Sequence, residues 1–414
     1  MRKTFFAFFL VLTLAYGAGL PAVPPEQVGF SKDRLERINV VMKEHVSAGR
    51  LAGASGLIAR NGKVVFKESW GEMKPDSIVR MYSMTKGVTG VAAMILYEEG
   101  KFSLTDPVSK YLPEFTNMRV AKESTDASGK TIRYTVPADR QITIRDLFRH
   151  TSGLDYAGPR DDNGEVAYRK IGMEGYYPMV TFDLAEGMRR LASVPLNDQP
   201  GTTFRYGYSI DVLGRLVEVL SGMTLDQFFE QRIFHPLGMN DTAFFVPQEK
   251  WNRLAVLYAP KPLGGVERSS SPYQESFKKK PSLLVGGAGL TSTLDDYARF
   301  YQMLLNDGQL DGIRILGRKS VELMRSDHLG SLGRVGGLLA EGEGFGLTFA
   351  VNMGPGKSAD IGSAGTYRWG GAAGTTFWID PKERLLGIFL IQVLPPNNPV
   401  GAQFQRLTYQ ALVD

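Results

Sequence analysis

The chain has 414 residues, of which 43% are hydrophobic, 11% aromatic and 22% charged, with a formal charge of +5. That balance is ordinary for a globular protein and excludes a disordered, fibrous or strongly cationic nucleic-acid-binding chain. There is no cysteine, which removes a disulfide framework, a thiol nucleophile and a lipid-modified cysteine from consideration.

Residues 1–22 read as a secretory leader. Arg2 and Lys3 open it, an apolar run covers residues 5–15, and Ala15-Tyr16-Gly17-Ala18 offers small residues for cleavage. The run falls short of the roughly 20 apolar residues a membrane span needs. The expectation is a periplasmic or secreted protein without stable membrane insertion once the leader is removed. Ser31 then caps a helix whose Leu35, Ile38, Val41 (or Met42) and His45 follow a 3.6-residue period. Residues 54–60, the turn Asn61-Gly62 and residues 63–66 predict a β-hairpin. Ser83 opens a long apolar helix.

From about 100 to 330 the pattern predicts helices separated by loops rich in proline and glycine. One spans 210–220 and is stopped by Ser221-Gly222. A second starts at the capping box Thr224-Leu225-Asp226-Gln227 and runs to Phe234, before Pro236. A third spans 295–305, closed by Asn306-Asp307-Gly308. Strands return at 345–351, 375–379 and 386–393, followed by a helix over 403–412. Strands at both ends of a helical middle predict one sheet lobe, from about 23–80 and 335–414, and a helical lobe over about 100–330. A cleft between two such lobes is a usual place for a site.

Ser83-Met84-Thr85-Lys86 places a hydroxyl and an amine three residues apart, on one helical face. A serine needs such a neighbour, because its hydroxyl is a weak nucleophile until its proton is taken. Unpaired N–H groups and the positive dipole end of a helix start also suit an oxyanion hole. Ser276-Phe277-Lys278-Lys279 has the same pattern, yet lies between Pro272 and Pro281 in a basic stretch without helical period. Context separates the two. The run Lys278-Lys279-Lys280 reads as a solvated loop rather than a nucleic-acid site. No G-x-S-x-G elbow occurs. His45, His150, His235 and His328 fit no metal-ligand spacing, so neither metal nor cofactor is implied.

Further stretches follow Ser83-Met84-Thr85-Lys86 in order. They are Ile142-Thr143-Ile144-Arg145-Asp146-Leu147-Phe148-Arg149-His150-Thr151-Ser152-Gly153-Leu154, then Pro200-Gly201-Thr202-Thr203-Phe204-Arg205-Tyr206, then Pro236-Leu237-Gly238-Met239, Gly287-Ala288-Gly289-Leu290 and Trp369-Gly370-Gly371. On these the chain resembles the serine β-lactamase and penicillin-binding-protein superfamily, and more closely its class C-like esterase branch, the family VIII carboxylesterases. The resemblance covers most of residues 25–410. It implies an α/β, β-lactamase-like fold: an antiparallel sheet flanked by helices, plus a mainly helical lobe.

It also implies acyl transfer. Ser83 would be the nucleophile, with Lys86 and Tyr206 removing its proton as one unit and returning it to the leaving alcohol. The N–H groups of Ser83 and Ala372 would form the oxyanion hole. Tyr206-Gly207-Tyr208 stands where lactamases carry Y-x-N, so Tyr208 replaces the asparagine that helps hold a β-lactam side chain. Asp211-Val212-Leu213-Gly214 matches the esterase form of this segment. Trp369-Gly370-Gly371 is similar to the esterases' W-x-G and lacks the lysine of K-T-G, which favours neutral esters over carboxylated substrates. Trp369, Gly370, Gly371, Tyr156 and Tyr208 are the expected substrate-binding residues, and His150 is expected to be structural. The function implied is hydrolysis of small esters of short acids. The alternatives are a β-lactamase, DD-peptidase or amide hydrolase, or a non-catalytic penicillin-recognising envelope protein.

Overall fold

Residues of the N-terminal hairpin alternate between two apolar environments, and this decides the architecture. In β1 (Gly53–Arg60), Ala54 and Ile58 contribute to one core, while Leu57 and Ala59 contribute to the other. A sheet buried on both faces results. The structure, a computed structural model, describes residues 19–161, 165–173, 180–396 and 399–414. Residues 1–18, most of the expected leader, lie outside that range. Residues 20–22 already engage the fold: Leu20 packs on the larger core, and the Pro21 carbonyl accepts from the Val64 N–H at 2.8 Å.

The main sheet has seven strands. To β1 are added β2 (Lys63–Gly71), β3 (Glu343–Phe345), β4 (Ala350–Asn352), β5 (Tyr367–Gly370), β6 (Thr376–Asp380) and β7 (Leu385–Leu390). They lie in the order β3-β4-β5-β6-β7-β1-β2, every pair antiparallel. The expected union of N- and C-terminal segments is the β1–β7 pair, with Ser55 opposite Leu390 and Arg60 opposite Leu385. Asn61 and Gly62 both take positive φ at the hairpin turn, 54° and 74°.

Helix α1 (Lys32–Ser47) and the C-terminal helix Val400–Tyr409 cover one face. Ser31 caps α1 by accepting from the Arg34 N–H at 3.3 Å, and Met42 rather than Val41 turns to the core. The other face carries α2 (Thr85–Glu98), α3 (Ile144–Phe148), α4 (Ser209–Ser221) and Leu294–Leu305.

The structure corrects three expectations. The middle of the chain is not purely helical, because Arg119–Thr125 and Thr131–Pro137 pair as a hairpin whose residues are mostly half-buried or exposed. The strand expected over 345–351 is broken into β3 and β4 by a tight turn in which Thr348 takes φ 79°. The helix starting at the Thr224 capping box does not stop before Pro236: Leu225–Phe229 continues through a π-helical stretch, Glu230–Phe234, into His235–Leu237. A wider turn there tolerates a proline, which lacks the N–H that a regular helix would use.

Candidate active site

Ser83 lies in a single 3-10 turn, Tyr82–Met84, directly ahead of α2 rather than within it. Tyr82 takes φ 45°, a left-handed conformation that strains a bulky residue by about 1–2 kcal/mol. The strain sits one peptide before the hydroxyl it presents. Every residue of α2 from Thr85 to Leu96 is buried, so Lys86 carries its amine into the interior at 0% exposure.

A buried ammonium must be hydrogen-bonded. Lys86 Nζ donates to Ser83 Oγ at 3.1 Å, to the Tyr156 hydroxyl at 2.9 Å and to the Gly287 carbonyl at 2.6 Å. Three acceptors match the three hydrogens of an ammonium. The face of the Tyr206 ring lies 4.6 Å from the same nitrogen, within cation–π range. Tyr206 itself sits between the short strand Thr203–Phe204 and α4. Its hydroxyl accepts from the Trp369 indole Nε1 at 3.2 Å. Ser83 and Lys86, Tyr206, and Trp369, from three separate stretches of sequence, are therefore one cluster.

His150 braces that cluster. It is fully buried, its Nδ1 accepts from the Gly207 N–H at 3.4 Å, and its ring centroid lies 4.6 Å from that of Tyr206. Burial, reinforced by the Lys86 charge, pushes the imidazole well below its ordinary value, so it is neutral at pH 7. No hydrogen bond joins it to Ser83 among the described residues. The platform beneath is held by Asp146, in a capping box with Thr143. Its buried carboxylate accepts from Arg140 at 2.6 Å, Arg149 at 3.1 Å and Thr151 at 2.8 Å. Burial pushes this acid up, but the donors from Arg140, Thr143 and Thr151 more than offset it and hold it at about 2.

At the end of β5, a Cβ on Gly371 would meet the Met81 carbonyl at 2.4 Å, and one on Gly370 would meet the Thr375 carbonyl at 2.8 Å. Only glycine lets the strand end come this close to the Ser83 turn. Ala372 packs in a small cluster with Tyr82, Leu257 and Ala373, which brings it beside that turn.

The two remaining tyrosines separate. Tyr156 bonds Lys86 directly, a closer role than the pocket lining expected of it. Tyr208 is buried; its hydroxyl donates to the Met173 carbonyl at 2.6 Å and its ring packs against Tyr156 and Tyr168. It supports Tyr156. The lysine contacts of Tyr156 and Gly287 were missed by sequence reasoning; an aromatic just beyond His150-Thr151-Ser152-Gly153-Leu154 was the available signal for the first. In the second serine–lysine pattern, Ser276 donates to the Tyr273 carbonyl at 3.2 Å and Lys279, three residues on, is exposed, unlike the buried Lys86.

A family model described as Beta-lactamase matches residues 38–411. Esterase EstB of Burkholderia gladioli is 30% identical over 378 residues, covering 86% of this chain and 88% of EstB. Protein Rv1367c of Mycobacterium tuberculosis is 36% identical over 404 residues, covering 90% of this chain and 97% of its own. Among solved structures, EstCE1, titled a hydrolase with promiscuous acyltransferase activity, is 27% identical with a TM-score of 0.74, covering 91% of this chain and 99% of its own. The matched span takes in the serine turn, α2, the Tyr206 loop and β5 alike, and on it this chain belongs to the beta-lactamase family.

Proposed function

We propose that the protein is a serine ester hydrolase of the carboxylesterase kind, acting on esters of short-chain acids through an acyl-enzyme on Ser83. The observation that carries this reading is the 3.1 Å hydrogen bond between Lys86 Nζ and Ser83 Oγ, with the Tyr206 ring against the same nitrogen. Names among the relatives support it, since EstB is an esterase and EstCE1 a hydrolase.

The reacting form of the Lys86/Tyr206 pair carries one proton fewer than an ammonium beside a phenol; Ser83 Oγ attacks the ester carbonyl, and its proton fills that vacancy. The N–H groups of Ser83 and Ala372 receive the oxyanion; losing one such donor typically costs about 10²–10³ in rate. The pair returns the proton to the leaving alcohol as the C–O bond breaks. Water then repeats the sequence on the acyl-enzyme and releases the acid. Trp369 and the Gly370-Gly371 backbone border the substrate, where the lactamase motif would supply a cation. Neutral esters are therefore favoured over carboxylated lactams. The leader-like composition ahead of Leu20 supports an activity in the periplasm or outside the cell.

The test is one panel of p-nitrophenyl acetate, p-nitrophenyl butyrate and nitrocefin. Expected are ester turnover exceeding nitrocefin turnover and loss of several decades of rate in Ser83→Ala and Lys86→Ala. Ester activity surviving Ser83→Ala defeats the assignment.

A further inference from the structure

Asp211 lies in the first turn of α4, five residues after Tyr206, and is 0% exposed. Its Oδ1 accepts from the Gly287 N–H at 3.0 Å, while Oδ2 is buried without a hydrogen-bond partner. A buried carboxylate oxygen left unpaired is costly. Gly287 is the residue whose carbonyl takes a hydrogen from Lys86 at 2.6 Å.

The glycine pair around that contact is clamped. Thr89 Oγ1 donates to the Gly286 carbonyl at 2.7 Å. A Cβ on Gly286 would lie 2.9 Å from the Ile210 carbonyl, and one on Gly287 would lie 2.7 Å from Asp211 Oδ2. Neither position has room for a side chain.

We propose that Asp211 is a positioning residue of this site, fixing Gly287 so that its carbonyl aims the Lys86 ammonium at Ser83, and supplying the negative charge that balances that ammonium. The proposal rests on the serine hydrolase reading above. Burial pushes the Asp211 carboxyl up to about 6, against the opposing effects of Lys86 and the Gly287 N–H, so it is ionised at neutral pH and above. Among the described residues, Lys86 of α2 is the charged group whose field reaches Asp211 from the elements packed on α4. Tyr156, Tyr206 and His150 are the other titratable groups around that lysine. Tyr206, ahead of α4, and Asp211, in its first turn, thus bear on one amine, the phenol through its ring face and the carboxylate through Gly287.

The test is labelling of Ser83 by a fluorophosphonate in the full-length protein, followed against pH, because it reports nucleophile activation whatever the natural ester. Asp211→Ala is expected to slow labelling at least about tenfold at all pH values. Asp211→Asn keeps an acceptor for the Gly287 N–H and is expected to restore the rate to within about threefold. Its acid limb should lie about one pH unit lower, since a proton-sharing group loses its proton more readily without a neighbouring anion. If Asp211→Ala fails to fold, the displaced limb of Asp211→Asn decides alone. Two results overturn the proposal while leaving the hydrolase reading intact: Asp211→Ala labelling at the wild-type rate, or Asp211→Asn labelling with an unmoved pH profile. A folded wild type that is not labelled at Ser83 defeats both.

Discussion

The Trp369 indole N–H points at the Tyr206 phenol oxygen across 3.2 Å, linking the last residues of β5 to the loop ahead of α4. This bond holds the phenol in place over Lys86. Trp369→Phe retains an aromatic ring against Tyr206 but removes the donor. Expected is a fall of about tenfold in kcat with little change in KM, in line with one lost hydrogen bond. Steady-state kinetics on p-nitrophenyl butyrate check it, and an unchanged kcat removes the indole from the mechanism.

Tyr156→Phe takes one of three acceptors from a buried ammonium. Hydrogen bonds to charged groups contribute about 1.5–3 kcal/mol, so kcat/KM should drop by roughly 10- to 100-fold. The ring would still pack on Tyr208, whose centroid lies 4.9 Å away, so the loss of stability should come from the unmet ammonium hydrogen alone, about 1–3 kcal/mol. Unchanged kcat/KM in the folded fraction would show that the hydroxyl serves stability only.

Gly371→Ala drives a methyl group into the Met81 carbonyl and Thr375 Oγ1, at 2.4 Å and 2.3 Å. The strand end must retreat from the serine turn. We expect about 1–3 kcal/mol of destabilisation together with a loss of ester turnover disproportionate to the unfolded fraction, read by denaturant titration and kinetics on the same sample.

Two buried acids give stability opposite pH dependences. Asp146, held down to about 2 against an ordinary 3.8, contributes stability that is present above pH 4 and lost as pH falls towards 2. Asp211, raised to about 6, behaves inversely: its contribution is complete below pH 4 and lost as pH rises through 6. Wild-type protein should therefore gain up to about 3 kcal/mol from Asp211 on moving from pH 8 to pH 4. Asp211→Asn should lack that gain. Urea titrations at the two pH values measure the difference, and parallel curves for both proteins would contradict it.

The parts of the fold governed by local periodicity were legible. Leu35 and Ile38 mark the buried face of α1, and Asn61-Gly62 marks the hairpin turn, because each is a short-range choice of the backbone. What escaped depends on distant partners. β5 is only four residues long and makes sense only beside β4 and β6. Pro236 looked like a stop because the π-helical stretch that accommodates it has no simple residue signature. In the site, Ser83, Lys86 and Tyr206 were visible through motif order. The Gly287 carbonyl was not, since a backbone oxygen has no letter of its own.

Strand β1 lies between β2 and β7, so its edge stays open until nearly the whole polypeptide has been made. Trp369, the donor to Tyr206, arrives with that same late segment. Until those final strands dock, Tyr206 lacks its indole donor and the sheet that carries it is incomplete.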